Sequence, residues 1–302
     1  MSGKKHILIT GATGYIGSEL VDTLISLDRF ELAIVVRDEL KGKNLFGNKL
    51  KYISYNSLEY FSRDLKNFNP NIVVHLAAYS TSSDSANEVQ KLIESNIVFT
   101  SQLLLALSEC NIELFINTGS FSEYHTNTEE LTPTYFYSAT KTSARYMIEY
   151  FSKRDDFTFV NAILYTVYGK KGNNKKIIDY AVDSLGSSRS IAMSEGKQLL
   201  DFVHIDDVVA FYINLIENYK CLHISRINYD VGRGEPYSIR DMVSILEDIT
   251  EKKANIEWGA YKDRKMDTIQ SSAKREPTQV DLEYTSNISL REGLLKYLEV
   301  VE

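Results

Sequence analysis

Residues 6–27 constrain the fold more than any other stretch. His6–Thr10 is a short apolar run that ends at Gly11. The next residues, Gly11-Ala12-Thr13-Gly14-Tyr15-Ile16-Gly17, space three glycines as G-x-x-G-x-x-G. Over 15–27, Ile16, Leu20, Val21, Leu24 and Leu27 recur at helical spacing. A buried strand, a glycine turn and an amphipathic helix make the opening half of a strand–helix–strand unit. Glycine admits positive φ and leaves room for backbone to approach a phosphate. The helix that starts there aims free N–H groups and the positive end of its dipole at the same point. The turn therefore predicts pyrophosphate binding, with an ordinary tight turn as the plain alternative. Gly11, Thr13, Gly14, Tyr15, Ile16 and Gly17 are its candidate cofactor residues.

The alternation continues down the chain. Leu32–Val36 reads as a buried strand, and Ile72–Ala78 as another, entered through Pro70. Residues 87–109 carry Val89, Leu92, Ile93, Ile97, Leu103, Leu104 and Leu107 largely on one face of a long helix. Leu114–Thr118 is a strand, 138–153 a helix and 157–164 a strand. Strands alternating with helices imply right-handed crossovers and an α/β fold of the Rossmann type, a doubly wound parallel sheet. Beyond Gly169 the regularity fades. A polar loop at 170–175 precedes a helix at about 176–186, then a strand and helix over 201–217 and a strand at 228–232. Ser238 is positioned to cap a helix running through Ile249, and the tail from about 250 is mixed. We expect a dinucleotide-binding domain over 1–168, with parts of 201–236 returning to it. Residues 169–302 should form mainly a smaller, interwoven α/β substrate lobe.

Composition excludes several functions. A net charge of −7 offers no basic footprint for nucleic acid, although a few placed arginines can still hold one phosphate group. Cys110 and Cys221 lack a partner motif, and the five histidines lack ligand spacing, so neither a disulfide nor a metal site is expected. Such cysteine usage suits a reducing cytoplasm. The run Ile7-Leu8-Ile9 is too short for a secretory signal or a membrane span of about 20 residues.

The strand ending Val36-Arg37-Asp38 bears on cofactor type. A carboxylate at such a strand end bonds the ribose hydroxyls, whereas an arginine can pair with a 2′-phosphate. Arg37 is the nearer residue and Asp38 should point elsewhere, which favours NADP(H) over NAD(H). A solvated loop cation is the plain alternative for Arg37.

Tyr137-Ser138-Ala139-Thr140-Lys141 is a Y-x-x-x-K at a helix start. Residues four apart stack on one helix face, so the ammonium can lower the phenol's pKa from about 10. With 20 tyrosines in the chain such a pair arises readily by chance. It gains weight from its place after Ile116-Asn117-Thr118-Gly119-Ser120. A hydroxyl at that strand end can bond the substrate oxygen that Tyr137 protonates. Thr118 is the first choice for it and Ser120 the second.

The glycine turn, His75-Leu76-Ala77-Ala78, Asn96, the Thr118 strand end, Tyr137-x3-Lys141, Val167-Tyr168-Gly169 and Asp201-Phe202-Val203-His204-Ile205-Asp206-Asp207-Val208 follow one another in order. Together they resemble the extended short-chain dehydrogenases that act on nucleotide-diphosphate sugars, over nearly the whole chain. The segment 258–267, Asn117-Thr118-x-Ser120-Phe121 and the Arg37-Asp38 ending are similar to the 4-ketoreductases of the CDP-abequose and CDP-paratose synthase type. The resemblance implies cofactor contacts from Leu76, Ala77, Ala78, Asn96, Tyr137 and Lys141. It also implies substrate contacts from Ser80, Ser120, Thr166 and Arg264, the last on the diphosphate. The implied reaction is NADPH-dependent reduction of a 4-keto-6-deoxy sugar carried on a nucleoside diphosphate, catalysed by Thr118, Tyr137 and Lys141.

Three positions depart from that pattern: Leu200 and Ile163 stand where many relatives carry arginine, and Thr166 where many carry asparagine. A sugar 4-epimerase that retains NAD is the closest rival. A dehydratase would add an acidic pair beside the catalytic hydroxyl, where Gly119-Ser120 stands. A non-catalytic dinucleotide-binding sensor or scaffold would often lack the Tyr or the Lys. The apolar richness of helices 87–109 and 138–153 predicts a homodimer.

Overall fold

The computed structural model describes residues 4–125, 130–172, 175–222, 226–261, 266, 270–273 and 285–301. Seven parallel strands form the main sheet: β1 (Lys5–Thr10), β2 (Phe30–Val36), β3 (Lys51–Ser54), β4 (Ile72–His75), β5 (Leu114–Ser120), β6 (Thr158–Leu164) and, far along the chain, β10 (Arg226–Val231). Their order is β10-β6-β5-β4-β1-β2-β3. The chain winds outward from β1 in one direction and resumes at β4 in the other. The crevice above β1 and β4 is therefore the switch point where ligands of such sheets bind.

The central strands are apolar without alternation because both faces are covered. Ile7, Leu8 and Ile9 are all fully buried. On one face Leu20, Val21 and Leu24 of α1 (Tyr15–Leu27) pack with Val208, Phe211 and Leu215 of α8 (Ile205–Asn218). On the other face lie Phe61 and Leu65 of α3 (Leu58–Phe68), Leu103 and Leu107 of α5 (Phe99–Leu107) and Ile148 of α6 (Phe136–Asp155). Between β2 and β3 runs α2 (Glu39–Phe46), and α4 (Ala86–Ile93) follows β4.

Two long elements differ from their sequence reading. The strand expected over 72–78 ends at His75, because the Ala77 N–H turns to the Thr10 side chain (3.2 Å) and leaves the ladder. The helix expected over 87–109 is interrupted by a π-helical turn at Glu94–Val98. Such turns displace one residue from the regular register and recur at functional sites; here that turn carries Asn96.

The remaining elements gather on smaller sheets. β7 (Thr166–Tyr168), β9 (Leu199–His204) and β11 (Pro236–Ser238) form one, in the order β11-β9-β7. β8 (Ile191–Met193) pairs with β12 (Ile256–Trp258). Against them pack α7 (Ile177–Ser184), α9 (Ile239–Thr250) and α10 (Leu290–Val301), through Ile178, Met242, Leu246, Leu290 and Leu294. Ser238 does cap α9: its hydroxyl accepts from Asp241 N (3.0 Å) while the Asp241 carboxylate accepts from Ser238 N (3.0 Å). Among the described residues, no helix is long and apolar enough to cross a membrane.

Candidate active site

The glycine turn sits at the tip of β1. Gly11 has φ +70°, and a Cβ there would stand 2.6 Å from Ala77 N. A Cβ on Gly17 would meet the Gly11 carbonyl at 2.2 Å. Two of the three glycines are thus required by the packing of the turn on itself and on the segment after β4. Gly14 is the N-cap of α1 and supplies no capping side chain, and the first turn of that helix holds no acidic residue. Its N–H groups and dipole end remain available to an anion. Tyr15 acts sideways: its hydroxyl donates to Lys170 O (3.0 Å) and accepts from Lys170 N (3.2 Å), and Lys176 Nζ lies 3.4 Å from its ring centroid. Burial lowers the Lys176 pKa to about 8.

Neutral polar groups fix the neighbouring wall. His75 lies between Thr10 Oγ1 (2.7 Å) and Thr100 Oγ1 (3.1 Å). Burial, aided by the charge of Lys141, pushes its pKa down to about 3, so it stays uncharged. Thr10 in turn holds Ala77 N, so Leu76-Ala77-Ala78 runs alongside the glycine turn. Asn96 was expected at the cofactor. Its amide instead bridges protein groups: the oxygen accepts from Tyr79 N (2.8 Å), and the nitrogen donates to Tyr79 O (3.0 Å) and Thr140 Oγ1 (2.9 Å). It ties the segment after β4 to α6.

Tyr137 and Lys141 occupy the first two turns of α6. Lys141 is 3% exposed, and among the described residues no group accepts a hydrogen bond from it. Burial lowers its pKa to about 8 against the opposing pull of Glu123. Burial first, and Glu123 second, push the Tyr137 phenol well above its ordinary range, while hydrogen bonds with Ser80 and Ser120 work the other way. Lys141, expected to lower that phenol, is not among the groups that shift it, and desolvation sets the direction.

The hydroxyl beside Tyr137 is that of Ser120, not Thr118. Thr118 lies two residues inside β5, on the sheet face covered by α8, and its Oγ1 pairs with Tyr212 OH at 2.6 Å. Ser120 stands at the strand tip, where the chain enters a 3₁₀ turn at Phe121–Glu123. Its hydroxyl meets Ser122 Oγ at 2.8 Å, and Ser138 Oγ donates to Ser122 at 2.8 Å. Ser80 joins the same phenol from the segment after β4.

Sequence reasoning missed Glu123. It is fully buried, accepts from Ser120 N (2.8 Å) and from Thr142 Oγ1 (3.3 Å), and has its pKa raised by burial. Ser120-Phe121-Ser122-Glu123 has the S-x-x-E spacing of a capping box, which was the available signal. With Ser120 at the phenol, the next two residues are Phe121 and Ser122, so an acidic pair is absent from this register as well.

Other expected positions are scattered. Thr166 begins β7, half-buried, opposite Phe202. Leu200 packs against the apolar cluster of α7, α9 and α10, and Ile163 is buried in the main core, so neither substitutes for an arginine. Arg264 falls outside the described residues. Arg37 is exposed just past β2, and the Asp38 carboxylate is engaged as N-cap of α2, accepting from Lys41 N (3.1 Å).

A seven-stranded doubly wound sheet with a glycine turn at its switch point and a tyrosine–lysine pair beside it defines a dinucleotide-dependent class of α/β enzymes. The sequence matches the NAD dependent epimerase/dehydratase family over residues 7–232, and the chain belongs to that family. It is similar to CDP-abequose synthase of Salmonella typhimurium, with 26% identity over 302 residues and 98% of each chain covered. The CDP-abequose synthase of Yersinia pseudotuberculosis is 24% identical over 257 residues, covering 85% of this chain and 89% of that one. In fold it is similar to the UDP-glucuronic acid 4-epimerase of Bacillus cereus, solved with UDP-glucuronic acid and NAD. The TM-score is 0.86 at 23% identity, with 98% of both chains covered.

Proposed function

We propose that this chain is an NADPH-dependent reductase of the 4-keto group of a nucleoside-diphosphate-linked 4-keto-6-deoxy sugar. The observation that carries the reading is the Tyr137 phenol, flanked by the Ser80 and Ser120 hydroxyls with Lys141 one turn behind. The similarity to CDP-abequose synthases over almost the entire chain supports it.

The residues suit a nicotinamide dinucleotide. The uncapped start of α1 fits a pyrophosphate, and Lys141 carries N–H donors that no described residue uses. When bound, the nicotinamide supplies the hydride. Tyr137 gives its proton to the carbonyl oxygen, and Ser120 and Ser80 orient that oxygen by hydrogen bonds. Lys141 supplies positive charge behind the phenol and stabilises the phenolate left by proton transfer. Ser80, Ser120 and Thr166 are assigned to the substrate side, Thr13 and Ile16 to the turn that meets the cofactor. We assign residues 1–168, joined by β10 and α8, to dinucleotide binding, and most of 169–302 to the substrate.

Cofactor choice separates this reading from a 4-epimerase that retains NAD. With Asp38 committed to α2, the ribose end of β2 is left to the Arg37 guanidinium. A guanidinium pairs with a 2′-phosphate and gains little from a bare hydroxyl. Such a contact is worth roughly 1.5–3 kcal/mol, or about one to two decades of affinity. Titration should give tighter binding of NADPH than of NADH by wild type, and Arg37→Ala should lose that preference. Tighter NADH binding by wild type, or an unchanged preference in the variant, favours the epimerase.

Association is the remaining expectation. Val98 at the end of the π-helical turn, Leu105 on α5, and Tyr146 and Tyr150 on α6, are at least 41% exposed. An apolar face of this kind fits a homodimer, and light scattering at micromolar concentration should give twice the chain mass. A monomer there would contradict it.

A further inference from the structure

We propose that Glu123 is a positioning residue of the Tyr137–Lys141 site: it holds the Ser120 turn by hydrogen bonds and serves Lys141 and Arg145 as their shared buried counter-charge. Glu123 is inaccessible to solvent, so it cannot touch substrate. One carboxylate oxygen receives Ser120 N at 2.8 Å and the other receives Thr142 Oγ1 at 3.3 Å. The Ser120 N–H can only donate, so the oxygen it meets must accept, as a carboxylate oxygen does. A Cβ on Gly119 would stand 2.9 Å from Glu123 Oε1, so the glycine makes the space that this oxygen fills.

Two cations face the carboxylate from successive turns of α6. Lys141 is 3% and Arg145 is 5% exposed, and Arg145 Nη1 also donates to Tyr124 OH at 2.9 Å. A buried cation without a counter-charge tends to lose its proton. The carboxylate opposes that loss at Lys141. Glu123, from the turn after β5, faces both cations, His75 of β4 faces Lys141, and Tyr137 lies one turn before Lys141 on its own helix. His75 is neutral in the working range, so Glu123 is the one anion of this set. The same carboxylate, through Ser120 N, fixes the turn whose hydroxyl meets Tyr137. One side chain thus couples the charge behind the phenol to the hydroxyl beside it.

The inference rests on the reductase reading only for its kinetic consequence, because the decisive test needs no substrate. Lys141 is followed by its side-chain NMR resonance against pH, assigned by difference with Lys141→Met. Glu123→Gln keeps the size and the acceptor for Ser120 N but removes the charge. Its Lys141 midpoint should fall by about one pH unit or more, a tenfold change in protonation. A purely structural cap would leave the midpoint unmoved, and that result overturns the proposal. If Glu123→Gln fails to fold, the carboxyl carbon-13 shift of Glu123 in the wild type decides: an ionised carboxylate at neutral pH supports the proposal and a protonated acid there overturns it. Failure of the protein to reduce any 4-keto sugar would count against the reductase reading and leave this titration intact.

Discussion

Tyr137→Phe should lower kcat by about 10²-fold or more while leaving the affinity for nicotinamide dinucleotide close to that of wild type. The substitution removes one oxygen and keeps the ring, so α6 and the neighbouring turn should retain their packing. What disappears is the proton donor that Ser80 and Ser120 flank. The serines are assigned to orient the carbonyl oxygen, and the phenol is the one group placed to give it a proton. Steady-state kinetics in a variant shown to be folded by circular dichroism checks this. A kcat near wild type would remove Tyr137 from the chemistry.

Ser120→Ala should cost about 10²-fold in kcat, in the range seen when a single donor to a reacting oxygen is removed. Thr118→Val is the matched control. Its hydroxyl pairs with Tyr212 OH at 2.6 Å, away from the phenol, so kcat should change little. Its effect belongs to stability: Tyr212 is fully buried and would keep an unpaired hydroxyl, at about 1–3 kcal/mol. Thermal or urea melts beside the kinetics separate the two. Loss of kcat in Thr118→Val with an active Ser120→Ala would return the role to Thr118.

The contrast between those two residues marks how far the sequence was legible. Strand, turn and helix over the first 27 residues carry apolar spacing at two periods with glycines between, and they occur as read. Tyr137 and Lys141 were visible because four-residue spacing on a helix is a local property. Thr118 and Ser120 differ only in where the strand ends, and strand ends are set by tertiary contacts. Here those contacts are the buried Glu123 carboxylate on Ser120 N and the Tyr212 hydroxyl on Thr118. The Asn96 bridge and the π-helical turn that holds it were hidden for the same reason, since its partners lie 17 and 44 residues away. Strands β8, β11 and β12 are only three residues long, too short for any period to register. Strand β3 is a four-residue edge strand whose first residue, Lys51, faces solvent.

The account stands most directly on the stoichiometry of cofactor use. The wild-type protein is incubated with NADPH and a panel of nucleoside-diphosphate 4-keto-6-deoxy sugars, followed by absorbance at the nicotinamide band and by NMR of the product. The account predicts that one NADPH is consumed for each 4-hydroxy sugar formed with one member of the panel, and that Tyr137→Phe abolishes the signal. Interconversion of 4-hydroxy epimers by the protein, with no net consumption of added NADPH, would contradict it.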